Sequence, residues 1–448
     1  MTSSKSSDNT KGSTRRKFLI ATGTISLTGF AGCSGGGNGT DTELSGNDTG
    51  ANTDTELSGN DTGTDGTNTG GSGNGGGSIG STTVGVLSPM TGAYSSLGPA
   101  QREGAKLAIQ RANEKFDVEL TAVYGDTETS VDAAQQEAQR VVQQEGAEYI
   151  VGAVSSSVAL GLNEFAAAEE LVYYSGAAAV SVTGENCNEW VFRTNAHTAQ
   201  IAEAISAYSV NNLGTNVWFH IADYAYGNSV YNRVSSRMQE ANDSYQEISV
   251  TRSQLGSTNY GSFISQISNS NADIAVLGMT GGDLINFVNQ AADQGLTDQV
   301  DLVGPTMTFQ SVRAATGANA VGTYGGVRYL PSIETDHNQE FVNNYQSEYD
   351  STPDVFARDS YDAIHMMAQT MQEIGDSEPE KVKDEMAGRP LSTVFGDVQF
   401  RPCDHQAENP TWMGKLVQDD SDVAAVERVS KVEGPKTLPS CDEVGCNL

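Results

Sequence analysis

The chain has 448 residues, with 57 acidic side chains against 25 basic ones and a formal net charge of -32 at pH 7. So negative a field excludes nucleic acid, whose phosphates demand a basic footprint, and excludes docking on an anionic bilayer through protein charge. The acids, such as Asp273, Asp283, Asp293, Asp301, Glu334, Asp336 and Asp350, are dispersed among well-patterned apolar segments, so the expectation is a folded domain with an acidic shell rather than an acidic disordered chain. Such a shell suits concentrated salt, where screening to about 3 Å makes self-repulsion tolerable, and it implies a halophile.

Residues 1–32 read as an export leader. Thr14-Arg15-Arg16-Lys17-Phe18-Leu19 precedes an apolar run from Phe18 to Ala31, which is too short to span a bilayer comfortably, and the paired arginines point to twin-arginine export of a folded domain. Phe30-Ala31-Gly32-Cys33 resembles a lipoprotein box, in which Cys33 would be acylated and become the membrane tether; an ordinary cleavage site is the alternative. Loss of residues 1–32 would remove Lys5, Lys11, Arg15, Arg16 and Lys17 against the single acid Asp8. Residues 33–80 are almost wholly Gly, Ser, Thr, Asn and Asp, and the block Thr40 to Gly50 recurs as Thr53 to Gly63. This composition cannot bury a core. A flexible, lipid-anchored stalk is expected, spanning on the order of 35 to 40 Å, with sequons at Asn38, Asn47 and Asn60.

Beyond residue 80, strand and helix patterns alternate. Thr82 to Leu87 reads as a strand, followed after Gly98-Pro99 by a helix with Ala100, Gly104, Leu107, Ala108 and Ala112 at helical spacing. Val118 to Tyr124 is a strand, Ser130 opens a helix ended by Gly146, and Tyr149 to Val151 and Leu171 to Tyr174 are further strands. A second set follows: a helix from about Ala196 to Leu213, strand Asn216 to His220, a helix from Ser229, strand Glu247 to Val250, a helix near Tyr260 to Ser268, strand Asp273 to Leu277, a helix across Leu284 to Ala292, and strand Asp301 to Val303. Helices near His337 to Tyr349 and Phe356 to Ile374 would recross to the first lobe, and Val394 to Phe400 reads as a final strand pair returning to the second. The alternation predicts an α/β fold of two Rossmann-like lobes, with parallel sheets flanked by helices and joined by a multi-strand hinge. Residues 81–195 with 326–393 would form lobe 1, residues 196–325 with 394–430 lobe 2, and residues 431–448 a tail with a Cys pair. Ligands in such sheets sit at the C-terminal ends of strands, here facing a cleft between lobes.

Setting Cys33 aside leaves Cys187, Cys403, Cys441 and Cys446, an even number that points to two disulfides with three possible connectivities. A local Cys441–Cys446 bridge and a pair tying Cys446 to Cys187 and Cys403 to Cys441 both remain open. Metal binding is the weaker reading, because no CxxC pair or His spacing accompanies them.

Gly85-Val86-Leu87-Ser88-Pro89-Met90-Thr91-Gly92, Gly104 to Ala108, Val151 to Ser157, Phe192-Arg193-Thr194, Asp223-Tyr224-Ala225-Tyr226-Gly227, Ala291 to Leu296, Tyr361-Asp362-Ala363 and Asp404-His405-Gln406 occur in one order. This set resembles the extracytoplasmic solute-binding proteins of ABC importers, specifically the branched-chain amino acid and amide group with the type I periplasmic binding protein fold. The resemblance implies a small-molecule solute as ligand, permease and ATPase subunits as partners, and a place at the outer face of the membrane. It implies that Ser156 and Ser157, at a helix N-terminus, hold a carboxylate or amide oxygen, and that Gly176, Ala177 and Ala178 offer main-chain groups beside them. Tyr226 would close over the solute with Tyr224 next to it, Tyr94 would shape the pocket from the first loop, and Thr280 and Thr306 complete the far side. Ala178 stands where relatives often carry Thr, and Thr306 where an acid would receive a ligand ammonium. Asp223 or a carbonyl near Thr280-Gly281 would then have to take that charge. Otherwise a neutral amide, a urea-like solute or a carboxylate fits better.

An enzyme is not expected: the sequence holds no HExxH, GxSxG, P-loop or GxGxxG opening a helix. His197, His220, His337, His365 and His405 share no metal-ligand spacing, so no metal or cofactor is expected. The other reading, a ligand-sensing receptor subunit of the same fold, would call for a membrane span and a signalling domain.

Overall fold

Apolar alternation and short β-branched runs build two sheets in the computed structural model, which describes residues 79–419 and 423–448. The leader, Cys33 and the stalk up to residue 78 lie outside the described residues. The first sheet holds β1 (Ser81–Ser88), β2 (Glu119–Asp126), β3 (Tyr149–Gly152), β4 (Val172–Ser175) and β5 (Val191–Phe192), all parallel, in the order β2-β1-β3-β4-β5. Its connections run through α1 (Gly98–Lys115), α2 (Val131–Gln143) and α3 (Ser156–Glu169). Ser130 accepts from the Ala133 N–H to cap α2, whose Ala134, Ala138 and Val141 face joins Leu87, Ile150 and Leu162 in the core.

The second sheet repeats the scheme. After α4 (Thr198–Asn212) come β6 (Asn216–Ala222), α5 (Ala225–Ala241), β7 (Gln246–Ser253), α6 (Gly261–Ser268), β8 (Ile274–Gly278), α7 (Gly281–Asp293), β9 (Asp301–Gly304), α8 (Gln310–Thr316) and β10 (Tyr324–Val327). The parallel order β7-β6-β8-β9-β10 copies that of the first sheet. The chain then supplies α9 (Asp336–Tyr349), α10 (Val355–Ile374) and α11 (Pro379–Met386), a small hairpin of β11 (Leu391–Thr393) and β12 (Gly396–Val398), and two strands, β13 (Thr411–Val417) and β14 (Ala425–Val432), before the short α12 (Gly434–Thr437) and α13 (Cys441–Val444).

Three expectations need correction here. Val394 to Phe400 does not return to the second sheet: Val394 and Phe395 form the turn of the β11–β12 hairpin, which packs on α10, and the Val394 N–H donates to Asp362 on that helix. The return is made by β13, antiparallel to β10, with β14 antiparallel beyond it, so this sheet is mixed. Gly326 and Val327 belong to β10 rather than to the first lobe, because their pairing with Met413 and Trp412 keeps them in the second sheet. The helix placed from Ser229 begins at Ala225, so Tyr226 sits in its first turn instead of a loop.

Helix α10 is anchored at its start by Asp354, which accepts from the Phe356 and Ala357 N–H groups at 2.8 and 3.0 Å, and ends at Gly375 with φ 69°. It packs so closely on α1 that a Cβ at Gly104 would stand 2.1 Å from the Ala357 carbonyl oxygen. The disulfides join Cys187 to Cys446 and Cys403 to Cys441. Among the described residues no helix is long and apolar enough to cross a membrane.

The lobes are linked at three crossings, after β5, after β10 and between β12 and β13. The first and third run side by side: the Arg193 N–H donates to the His405 carbonyl at 3.1 Å and the Ala407 N–H to the Arg193 carbonyl at 3.0 Å. At the exit of the first crossing, His197 caps α4. Its Nδ1 accepts from the Gln200 N–H at 3.1 Å while the Gln200 side chain accepts from the His197 N–H at 3.0 Å. Burial and nearby Arg193 hold the imidazole well below its usual pKa, and the accepting Nδ1 requires the neutral ring.

Two outcomes follow from this packing. Gly104→Ala should lower stability by about 1–3 kcal/mol through overpacking of α1 on α10, read from urea midpoints. His197 has a depressed folded pKa, so the unfolded chain takes up the proton first and stability is lost as pH falls below about 6.5. Relative to wild type, His197→Asn should remove up to about 1.4 kcal/mol per pH unit of this loss between pH 6.5 and 5, measured by urea unfolding; an unchanged slope would show that the ring does not titrate there.

Candidate functional site

Each residue expected from the sequence to contact the solute lies past the C-terminal end of a strand or in the helix turn that follows. In both sheets the order 2-1-3 opens a crevice between the loops after neighbouring strands. Tyr94 follows β1, Ser156 and Ser157 follow β3, and Gly176, Ala177 and Ala178 follow β4. From the other lobe come Tyr224 and Tyr226 after β6, Thr280 after β8 and Thr306 after β9.

Three tyrosines bridge the lobes. The Tyr94 and Tyr224 hydroxyls hydrogen-bond to each other, with ring centroids 6.2 Å apart, and Tyr224 lies 6.1 Å from Tyr226. Burial pushes all three phenols up from their ordinary range, so they act as neutral donors and acceptors. Tyr226 is positioned by the close seat of its helix turn on β6: a Cβ at Gly227 would stand 1.9 Å from the Ala222 carbonyl oxygen. Its hydroxyl faces Arg328 and Thr306 without a well-formed hydrogen bond to either.

Several of the expected ligand groups are already engaged. The Ser156 hydroxyl accepts from the Ala179 N–H at 3.1 Å, and Thr306 donates to the Met279 carbonyl at 2.9 Å. The Gly176 N–H donates to Gly152 at 3.0 Å and its carbonyl accepts from Asn195, while the carbonyls of Ala177 and Ala178 accept from Arg193 and from the Thr198 N–H. These residues therefore brace the loop more than they offer free atoms. Ser157 is half-buried at the open start of α3. Asp223, suggested as an ammonium acceptor, faces outward: its side chain is 58% exposed and lies 3.8 Å from Arg252.

The unmet hydrogen-bonding capacity belongs largely to residues that the sequence reading did not single out. Gln101, in the first turn of α1, is fully buried with both amide atoms unpartnered. Gly176 gives it room, since a Cβ there would stand 2.9 Å from Gln101 Nε2 and 2.7 Å from Asp359 Oδ2. Arg328, immediately after β10, is 2% exposed, stacks over Phe309 at 5.3 Å, and has Nε and Nη2 without partners. Asn195 Oδ1 and Thr280 Oγ1 are likewise buried and unpartnered. Asp359 is hydrogen-bonded by the Thr194 hydroxyl, with Arg358, Arg328 and Arg193 around it; burial outweighs them and pushes its pKa up to about 6. A signal for Arg328 was its place at a strand's C-terminal end in Gly326-Val327-Arg328; Gln101 and Asp359, in helices, carried none.

Chemically, this arrangement gathers buried, unpartnered hydrogen-bonding groups from two lobes. Among the described residues no group of three or more His, Cys, Asp or Glu side chains is disposed to hold a metal ion. A groove of about 620 Å³ lies elsewhere, between Val180, Asn186 and α5 beneath Glu443. It contains none of the unpartnered buried polar atoms, so the cleft is the candidate site.

The two serines separate by their engagement. Ser156→Ala should cost about 1–3 kcal/mol in the absence of ligand, since it orphans the buried Ala179 N–H, whereas Ser157→Ala should be within about 0.5 kcal/mol of wild type. Chemical denaturation of both variants checks this; equal losses would overturn the assignment of the Ala179 bond as the structural one.

The periplasmic binding protein family model matches residues 81–422. The leucine-, isoleucine-, valine-, threonine- and alanine-binding protein of Pseudomonas aeruginosa is 21% identical over 324 residues, covering 71% of this chain and 85% of that protein. An amino acid ABC transporter substrate-binding protein from Pseudomonas fluorescens superposes with a TM-score of 0.74 at 21% identity, covering 83% of this chain and 100% of its own. A solute-binding protein of an ABC transporter from R. palustris, crystallised with benzoate, superposes with a TM-score of 0.73 at 21% identity, covering 82% and 100%. With its match extending over both lobes, the chain belongs to the periplasmic binding protein family.

Proposed function

We propose that the chain is the extracytoplasmic solute-binding component of an ABC importer. It captures a small solute by closure of its two lobes and delivers it, chemically unchanged, to a permease driven by ATPase subunits. The observation that carries this reading is the set of buried, unpartnered polar groups, Gln101, Asn195, Tyr226, Thr280 and Arg328, contributed by both lobes from the segments and first helix turns that follow their strands. Such groups are costly in a closed cleft unless a solute completes their hydrogen bonds. Binding energy therefore favours the closed arrangement over the open one, and the permease reads the difference. The relatives' ligands, branched-chain and small amino acids in one case and benzoate in another, support a solute of that size: an amino acid, an amide or urea-like compound, or a small carboxylic acid.

We further propose that this receptor works at the outer face of the membrane. Twin-arginine export, acylation of Cys33 and a stalk over residues 33–80 would let the folded lobes work at a distance from the bilayer, and the net charge of -32 suits a saline exterior. Cys33→Ser should release the protein from the membrane fraction into the medium.

In concentrated salt, the mature chain should show a rise in unfolding midpoint with at least one member of a panel of amino acids, amides and small carboxylates. At 100 times Kd the stabilisation is about 2.7 kcal/mol. Small-angle scattering of the same samples should show contraction. A panel that shifts neither quantity would overturn the reading.

A further inference from the structure

We infer that Arg328 is the receptor's anion anchor, and that the solute is a small organic carboxylate whose head group is taken by the Nε–Nη2 edge of this guanidinium together with the Tyr226 hydroxyl. The inference rests on the solute-binding reading above and narrows it to one chemical class.

Four buried or half-buried arginines lie near the hinge and cleft: Arg193 and Arg401 are hydrogen-bonded by the protein, Arg358 keeps Nε and Nη2 unpartnered but has carboxylates beside it, and Arg328 has neither kind of compensation. Arg193 is held by the carbonyls of Ala177 and Ala179 and by the side chains of Gln406 and Thr183. Arg358 donates to the Thr194 carbonyl at 3.0 Å and has carboxylates of Asp359 and Asp362 at 3.8 and 3.6 Å. Arg401 pairs with Asp404. Arg328 is the one of these four that has neither a carboxylate within 4 Å, as Arg358 and Arg401 have, nor the set of neutral oxygens that surrounds Arg193, and its Nε and Nη2 are both unpartnered at 2% exposure. Asp359, the acid that its charge senses, is already bound by Thr194 and flanked by Arg358.

Nε and Nη2 point to the same side of the planar guanidinium, which is the side-on fork that receives the two oxygens of one carboxylate. Arg328 Cζ lies over the Phe309 ring, 5.3 Å from its centroid. Tyr226 lies near the same guanidinium with a buried, unpartnered hydroxyl, which can donate to an anion held there. A neutral amide would leave the buried positive charge uncompensated, whereas a carboxylate neutralises it as the lobes close. The anchor lies after β10 in the second lobe, not at the start of α3 where the serines first drew attention.

The test uses the mature chain, isothermal titration calorimetry, and sodium benzoate, 4-methylpentanoate and leucine against benzamide and 4-methylpentanamide. Acids should bind at least tenfold more tightly than their amides, and Arg328→Gln should weaken the best acid roughly 10- to 150-fold, with Arg328→Lys intermediate and Tyr226→Phe weaker than wild type by a smaller factor. Amides binding as tightly as acids, or Arg328→Gln within twofold of wild type, would overturn the anchor while leaving the solute-binding reading intact. A second measurement needs no ligand. Arg328→Leu, which removes an unpaired buried charge, should raise the ligand-free unfolding midpoint. If no panel member binds wild type, a lowered midpoint for Arg328→Leu overturns the inference and a raised one supports it.

Discussion

The buried guanidinium of Arg193 is the interaction on which the rest of the arrangement depends. It is 0% exposed, stands on the first crossing between lobes, and donates to two carbonyls of the Ala177–Ala179 loop while also binding Gln406 of the third crossing. One planar cation thereby ties the rim of the cleft to two hinge strands. Its partners are neutral oxygens, so the charge is stabilised by many aligned dipoles rather than by one acid. Gln406 extends the connection to the Asn195 carbonyl, and Asn409 to the Thr194 carbonyl. The hinge is thus a hydrogen-bonded ribbon whose internal geometry is well defined, and movement of the lobes must be taken up at its ends.

Around that ribbon the two lobes divide the work by chemistry. The first presents Tyr94 and the uncharged polar groups of Gln101, Asn195 and the start of α3, whereas the second brings Tyr224, Tyr226 and Arg328. Neither half is self-sufficient. The contact of Tyr94 with Tyr224 shows how they meet, with aromatic surfaces that cost little to desolvate and hydroxyls that satisfy one another. The interior polar groups behave in the opposite way, each losing water on closure and gaining nothing from the protein in return. This contrast makes closure without solute unfavourable inside and favourable at the rim.

Much of the architecture was legible in the sequence because parallel sheets announce themselves through apolar runs separated by helical spacing. The loops after β1, β3, β4 and β6 were found for that reason. Val394 to Phe400 was misread because a short hairpin and a crossing strand share the same alternation, and only the packing on α10 separates them. Within the cleft, residue position was legible but commitment was not: Ser156 and Thr306 look like ligand contacts until their hydroxyls are found occupied by Ala179 and Met279. Arg328 and Asp359 were passed over because a charged residue near a strand end or within a helix looks like solvated surface, and burial is decided by segments far away in the chain.

The tail has a temporal meaning as well as a spatial one. Cys187 and Cys446 are 259 residues apart, and Cys446 follows every strand and helix of both lobes. A chain emerging N-terminus first therefore cannot close the Cys187–Cys446 bond until every described strand and helix of both lobes has been synthesised.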